Sequence, residues 1–163
     1  MIREATANDA QYIADIYNYY VEETYITFED IPVTELDIRS RMASVQQQSL
    51  PWLVAVEDSE VVGYAYATQW KERSAYRYSL ECTVYLKNGC DGKGLGTQLY
   101  KALLAALKAR GTHCVIAVIS LPNAKSVALH EKIGMEKVAH FKEVGFKFNQ
   151  YIDVGFWQLI LRD

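Results

Sequence analysis

Three glycines fall within five residues at Gly92-Lys93-Gly94-Leu95-Gly96. They stand between a strand-like run, 78–86, and the most regular helical pattern in the chain, 95–110. A strand that breaks into a flexible turn and restarts at once as a helix points to a layered α/β sheet. Glycine admits backbone conformations and close approaches that a Cβ forbids. The first turn of a helix also leaves amide N–H groups unpaired, and with the helix dipole these attract anions. The segment therefore suits a pyrophosphate, although the same glycines would serve a turn with no ligand. It is not a Walker A loop, because no Gly-Lys-Ser/Thr follows. It is not the dinucleotide fingerprint, because Thr97 stands where the third glycine belongs.

The rest of the chain alternates in the same manner. A short strand is expected at 1–5. Thr6 then caps a helix, with Asp9 as its capping-box partner. Ile13, Ile16, Tyr17, Tyr20 and Val21 fall on one face of that helix. A second helix is expected at roughly 34–46. Strands are expected at 52–56, 61–67 and 78–86, the first two joined by the turn 57–60. The helix 95–110 carries a Leu99, Leu103, Leu107 stripe and stops at Gly111. A strand at 112–119 is followed by a helix that opens at Asn123 and ends before Gly134. Strands near 136–144 and 152–161 close the chain. Short turns make the middle strands antiparallel, and the helices between later strands permit parallel pairing. The expected fold is a mixed α/β sheet with helices on both faces, in one domain over 1–163.

A net charge of -3 and a pI near 5.6 carry no electrostatic footprint for nucleic acid or an anionic membrane. No apolar stretch reaches the length of about 20 residues that a bilayer span needs. The start, MIREATANDA, has no apolar signal core, so export is not expected. Three cysteines, Cys82, Cys90 and Cys114, have no metal-ligand spacing, so no metal is expected and a reducing cytoplasm fits them. Twelve tyrosines suggest aromatic walls or an interface.

Thr83-Val84-Tyr85-Leu86, the glycine run, and Leu99-Tyr100-Lys101-Ala102-Leu103-Leu104 resemble the central motif of the GNAT superfamily of N-acetyltransferases, Gln/Arg-x-x-Gly-x-Gly/Ala. Gly94 and Gly96 match that motif, while Asp91 stands at the Gln/Arg position. Further blocks are similar to the phosphinothricin/methionine sulfoximine acetyltransferase family. They are Thr27-Phe28-Glu29, Tyr64-Ala65-Tyr66-Ala67, the loop from Trp70 to Tyr76, Glu81 to Tyr85, Asn123 to His130, Val144 to Phe148, and Asp153 to Leu159. They run in order over almost the whole chain.

The resemblance implies a sheet whose two central strands splay into a V, with acetyl-CoA as co-substrate in the gap. Its pantetheine arm would pair with the strand end at Val84, Tyr85 and Leu86. Its pyrophosphate would sit on the amides of Gly92, Lys93, Gly94, Leu95, Gly96 and Thr97, and Asn123 would contact it from the later helix. Asp91 would repel that pyrophosphate, with Lys93 near enough to offset it.

The implied reaction moves an acetyl group to the α-amine of a small amino-acid-like molecule by direct attack. A protonated amine cannot attack, so a base is needed. Glu81, just before the strand end, is the candidate. The backbone N–H of Val84 or Tyr85, at a strand bulge, is the candidate oxyanion donor. His130 stands where many superfamily members place a tyrosine acid. It is either the donor to the leaving thiolate or a helix-face histidine packed beside Val127 and Ile133. Arg73 would clamp the substrate carboxylate, with Lys71 and Arg77 as alternates. Ala75 and Thr83 join the acceptor set. Phe28, Tyr76 and Tyr85 would form walls, Glu29 would read a polar tip, and Lys147 would reach the pocket from a partner subunit. A homodimer is expected. Two other readings use the same residues: Cys82 as an acyl-carrying nucleophile, and a non-catalytic acetyl-CoA-binding module.

Overall fold

Seven strands and four helices follow one another in the order expected from the sequence. The computed structural model describes residues 1–162. The strands are β1 (Ile2–Glu4), β2 (Trp52–Glu57), β3 (Glu60–Gln69), β4 (Ser79–Leu86), β5 (Cys114–Leu121), β6 (Glu136–Lys147) and β7 (Gln150–Ile160). The helices are α1 (Ala10–Glu23), α2 (Glu35–Gln47), α3 (Leu95–Ala109) and α4 (Ala124–Lys132). One sheet holds all the strands in the order β1-β2-β3-β4-β5-β7-β6. Every pairing is antiparallel except β4 with β5, which is parallel.

That parallel pair is where the sheet opens. β4 and β5 register at Ser79↔Cys114, Leu80↔Val115 and Glu81↔Ile116. Beyond Glu81 the ladder stops, yet both strands continue. β3 holds β4 as far as Gly63↔Leu86, and β7 holds β5 as far as Leu121↔Asp153. The result is a V with Glu81 at its vertex.

Side chains alternate across a strand, which assigns the two faces. Tyr85 meets the α1 ring of Tyr17 with centroids 5.3 Å apart, and Tyr64 meets Tyr85 on the same face at 5.7 Å. Trp52 stacks on Tyr66 on the same face at 4.0 Å. Gly63 points the other way, where a Cβ would lie 3.1 Å from Leu99 of α3. α1 and α3 therefore cover opposite faces. Leu99, Tyr100, Leu103 and Leu107 of α3 are fully buried. Truncating a leucine of that stripe would cost about 2–5 kcal/mol. The Thr6 cap follows the sequence, its N–H donating to Asp9 Oδ2 at 2.7 Å, and Thr34 heads α2 in the same way: Asp37 N–H donates to Thr34 Oγ1 at 3.1 Å, and Thr34 N–H donates to Asp37 Oδ2 at 2.8 Å.

The final hairpin is longer than its sequence pattern predicts. β6 runs to Lys147, and β7 starts at Gln150. Between them Phe148 and Asn149 both take positive φ, 50° and 57°. That is the twist a two-residue turn needs to join right-handed strands. β6 also carries register shifts between Lys137 and Ala139 and between Phe141 and Gly145. Among the described residues, no helix is long and apolar enough to cross a membrane.

Candidate active site

The opening between β4 and β5 holds a cavity of about 320 Å³ that passes from one face of the sheet to the other. On the α1 face it is lined by Tyr17, Thr27, Phe28, Tyr66, Glu81, Thr83 and Tyr85. On the α3 face it is lined by Cys82, Val84, Tyr100, Asn123, Ser126 and His130. Glu81, Thr83, Val84, Tyr85, Phe28, Asn123 and His130, residues far apart in sequence, are thus brought to one space.

Glu81 is the last residue of the parallel ladder. It is half-buried, and burial raises its carboxyl above the ordinary glutamate range, partly opposed by the charge of Lys71. Among the described residues its carboxylate has no ion-pair or hydrogen-bond partner, so nothing competes for its proton. Cys82, the next residue, faces the opposite side, and burial pushes its thiol up. A thiol held protonated is a poor nucleophile, which weighs against an acyl-carrying Cys82.

Backbone alternation separates the two candidate N–H donors. Lys87 N–H donates across to Val62 O in β3 at 2.8 Å. Alternate residues of a strand turn their backbone groups to opposite sides. Tyr85 and Thr83 therefore bond β3, while Val84 and Leu86 turn theirs to the gap. Val84, not Tyr85, presents a free N–H. The strand bulge expected there is absent, because the β3–β4 register runs unbroken from Gln69↔Leu80 to Gly63↔Leu86.

His130 is buried and held at both ring nitrogens. Nδ1 lies 2.6 Å from Ser126 O, and Nε2 lies 2.6 Å from the Tyr100 hydroxyl. A carbonyl only accepts, so Nδ1 carries the proton and Nε2 accepts from Tyr100. Burial lowers the His130 pKa, opposed by the Ser126 carbonyl. The ring is thus a neutral imidazole partnered by Tyr100. In the sequence Tyr100 carries no signal of this role, because it stands beside the leucine stripe of α3 and reads as one more core residue. Tyr17, Tyr66 and Ser126 also line the cavity, from α1, β3 and α4.

The glycine turn precedes α3 as expected. Gly92 and Gly94 both have φ of 80°, and an added Cβ at either would meet nothing within 4 Å. Their requirement is conformational rather than spatial. Gly94 is the N-cap of α3 and has no side chain to bond the first-turn amides. A cradle of free N–H groups at Leu95, Gly96 and Thr97 results, which suits a pyrophosphate. Gly96 is different: a Cβ there would come within 3.0 Å of Leu129, so it brings α3 against α4. Lys93 sits on the exposed turn, but Asp91 pairs instead with Lys125 at the start of α4, which holds its carboxyl below the usual range. Asn123 caps α4 by accepting from Ser126 N–H at 3.2 Å, leaving its NH₂ as the donor for a ligand.

Five expected acceptor contacts, Glu29, Arg73, Ala75, Tyr76 and Lys147, do not line the cavity within this chain. Arg73, Ala75 and Tyr76 lie on an exposed turn, where Arg73 precedes a short 3₁₀ helix, Ser74–Tyr76. Lys147 is buried in its own chain, not offered to a partner: its ammonium donates to Val21 O, Thr27 O and Glu29 O at 2.8, 2.9 and 2.8 Å. Glu29 is engaged as well. Arg41 grips it with two bonds, at 2.9 and 2.6 Å, and the Tyr17 hydroxyl donates to it.

Residues 2–155 match the family described as an acetyltransferase (GNAT) domain. The chain belongs to the GNAT acetyltransferase family. It is 41% identical over 157 residues to the phosphinothricin N-acetyltransferase of Streptomyces viridochromogenes, covering 96% of this chain and 85% of that protein. It is 35% identical to an L-methionine sulfoximine/L-methionine sulfone acetyltransferase of Pseudomonas aeruginosa, covering 98% of this chain and 94% of that protein. Its fold is similar to a phosphinothricin acetyltransferase from Sinorhizobium meliloti solved with acetyl-CoA. The TM-score is 0.96 at 34% identity, covering 99% of this chain and 88% of that one. The splayed GNAT sheet expected from the motif is the sheet observed, and the chain is an acetyl-CoA-dependent N-acetyltransferase of that family.

Proposed function

We propose that this GNAT enzyme acetylates the α-amine of a small amino acid analogue of the phosphinothricin or methionine sulfoximine type, by direct attack in a ternary complex. The observation that carries the reading is the through-sheet cavity with Glu81 at its vertex. An amine entering from the α1 face and a thioester entering from the α3 face would meet there.

The residues divide the work. Glu81, its affinity for protons raised by burial, takes a proton from the ammonium or from a water beside it. The Val84 N–H bonds the thioester oxygen as charge builds on it. The Val84 N–H and C=O and the Leu86 N–H offer the backbone groups that an extended pantetheine arm would pair with, the Leu86 carbonyl being held by the Tyr20 hydroxyl, and Tyr85 backs that strand with its ring. The amides of Gly92 to Thr97 and the Asn123 side chain hold the rest of the co-substrate. The Tyr100–His130 pair lies on the thiol side, and the Tyr100 hydroxyl would turn from His130 Nε2 to give its proton to the leaving thiolate. Phe28, Tyr66 and Thr83 wall the acceptor. Arg73 closes from the rim on the substrate carboxylate, with Ala75 and Tyr76 on the same turn. Lys71 is near enough to act on Glu81.

The enzyme works as a homodimer in the cytoplasm. β6 is a sheet edge with Val138, Phe141, Val144 and Phe146 exposed, and an apolar edge strand is seldom left uncovered. The three cysteines are free thiols, which suits a reducing compartment.

A thiol-release assay with acetyl-CoA over amino acids, sulfoximines, sulfones, phosphinothricin and polyamines tests the acceptor. Turnover with phosphinothricin or methionine sulfoximine is expected. Release with polyamines and none with amino acid analogues would overturn the acceptor class.

A further inference from the structure

The loop between α1 and α2 brings Thr27 and Phe28 into the cavity, and it has no helix or strand of its own to hold it. Its support comes from the far end of the chain. Gly145 and Lys147 are two apart on β6, so they share a face, and both are buried while Val144 and Phe146 beside them are exposed. Lys147 gathers the carbonyls of Val21, Thr27 and Glu29, which fixes the loop backbone on either side of Phe28. Gly145 receives the ring itself. A Cβ built on Gly145 would fall 2.3 Å from Phe28 Cζ, 2.5 Å from Cε2 and 3.0 Å from Cε1. The far end of the Phe28 ring therefore lies directly against bare β6 backbone at Gly145.

We propose that Gly145 is a specificity-determining position of the acceptor pocket: its missing side chain sets how far the Phe28 ring stands back from the cavity, and Lys147 is the positioning residue that makes the setting rigid. The inference rests on the α1 face of the cavity being the acceptor end. Gly145 has no positive φ, so backbone freedom does not explain the glycine there. The space taken by the ring does. Any methyl at 145 must be met by movement of Phe28, because the three nearest atoms all belong to that ring. Lys147 prevents the loop from lifting, and β6 blocks the retreat. The ring is 42% exposed, so it moves toward solvent or toward the cavity it lines, and either shift reshapes the wall that an acceptor side chain meets.

The test compares Gly145→Ala, Phe28→Ala and the double variant with the wild-type enzyme. Gly145→Ala should raise KM for methionine sulfoximine about tenfold, the scale on which one methyl alters a pocket. Its kcat should stay within about threefold, and acetyl-CoA affinity by calorimetry should be unchanged. In the double variant the methyl has no ring to meet, so KM should equal that of Phe28→Ala alone. An unchanged KM in Gly145→Ala, or a matching loss of acetyl-CoA affinity, overturns the proposal. So does a double variant that fails to fold while Phe28→Ala folds, since Gly145 would then be needed for another reason. A crystal structure of Gly145→Ala reads the ring position without any acceptor. A ring left in place refutes the proposal even if the wild-type enzyme turns over no amino acid analogue, an outcome that would refute the acceptor class alone.

Discussion

Replacing Glu81 by glutamine keeps the shape of the cavity vertex and removes its base. General-base transfer contributes about 10²–10⁴-fold, so kcat should fall by that range, about 2.7–5.4 kcal/mol of barrier. Acetyl-CoA affinity should hold, because the carboxylate is at the vertex and not on the amide cradle. Stability should move the other way. Burial raises the folded-state pKa of Glu81 above its unfolded value, with Lys71 opposing. Between those two values the folded chain binds more protons than the unfolded chain, so stability falls as pH rises through that window. The neutral amide escapes that loss. Glu81→Gln should therefore melt higher than wild type at pH 8 and match it at a pH below the ordinary glutamate range. In wild type, the acid limb of kcat/KM should lie above that range, and in the variant it should vanish. Steady-state kinetics and thermal melts at two pH values check both halves. Unchanged turnover, or a variant less stable than wild type at pH 8, would refute the assignment of Glu81 as a buried, uncompensated base.

Other outcomes follow from the same geometry. Tyr100→Phe removes the donor to His130 and should lower kcat by about 10- to 100-fold with acetyl-CoA affinity intact; unchanged kcat would take the pair out of the reaction. Lys125→Ala leaves the Asp91 carboxylate unpaired at the glycine turn and should weaken acetyl-CoA binding by about tenfold at low salt and less at high salt. Adding Asp91→Asn should restore it, and calorimetry showing the double variant as weak as the single would disprove the pairing. Val144→Asp puts a charge on the exposed β6 edge and should convert a dimer to monomer in sedimentation; a dimer that persists would place the contact elsewhere.

Element order was legible because each strand or helix has its own local pattern. The leucine stripe, the Thr6–Asp9 cap and the glycine turn each specify an element without help from the rest of the chain. The β6–β7 turn was not, because Phe148-Asn149 lacks the Asn-Gly or Asp-Gly pair that usually announces positive φ at both positions. At the site, Glu81 and Asn123 were legible through motif position alone. Tyr100 was hidden because a buried tyrosine on an apolar helix has the same sequence signature whether it packs or donates. Lys147 was misplaced because its partners, Val21, Thr27 and Glu29, are 126, 120 and 118 residues away and are backbone atoms, which leave no mark in a sequence. Asp91 was read against Lys93, its neighbour in sequence, whereas its partner in space is Lys125.

The V in the sheet has a consequence for the empty protein. A strand with unpaired backbone is normally an aggregation hazard that proteins keep short, charged or covered at the periphery. Here such a margin runs through the middle of the molecule, at the Val84 N–H and C=O and the Leu86 N–H, with the Leu86 carbonyl taken by the Tyr20 hydroxyl of α1. In the proposed binding mode the co-substrate would complete the sheet, so the folded population would be tied to the supply of that ligand. At a hundred times its Kd, occupancy adds about 2.7 kcal/mol to stability. Amide exchange at Val84 and Leu86 would report it directly, slow in the loaded enzyme and fast when the co-substrate runs short. The abundance of the protein in a cell would then track its metabolic state, with no dedicated regulatory site.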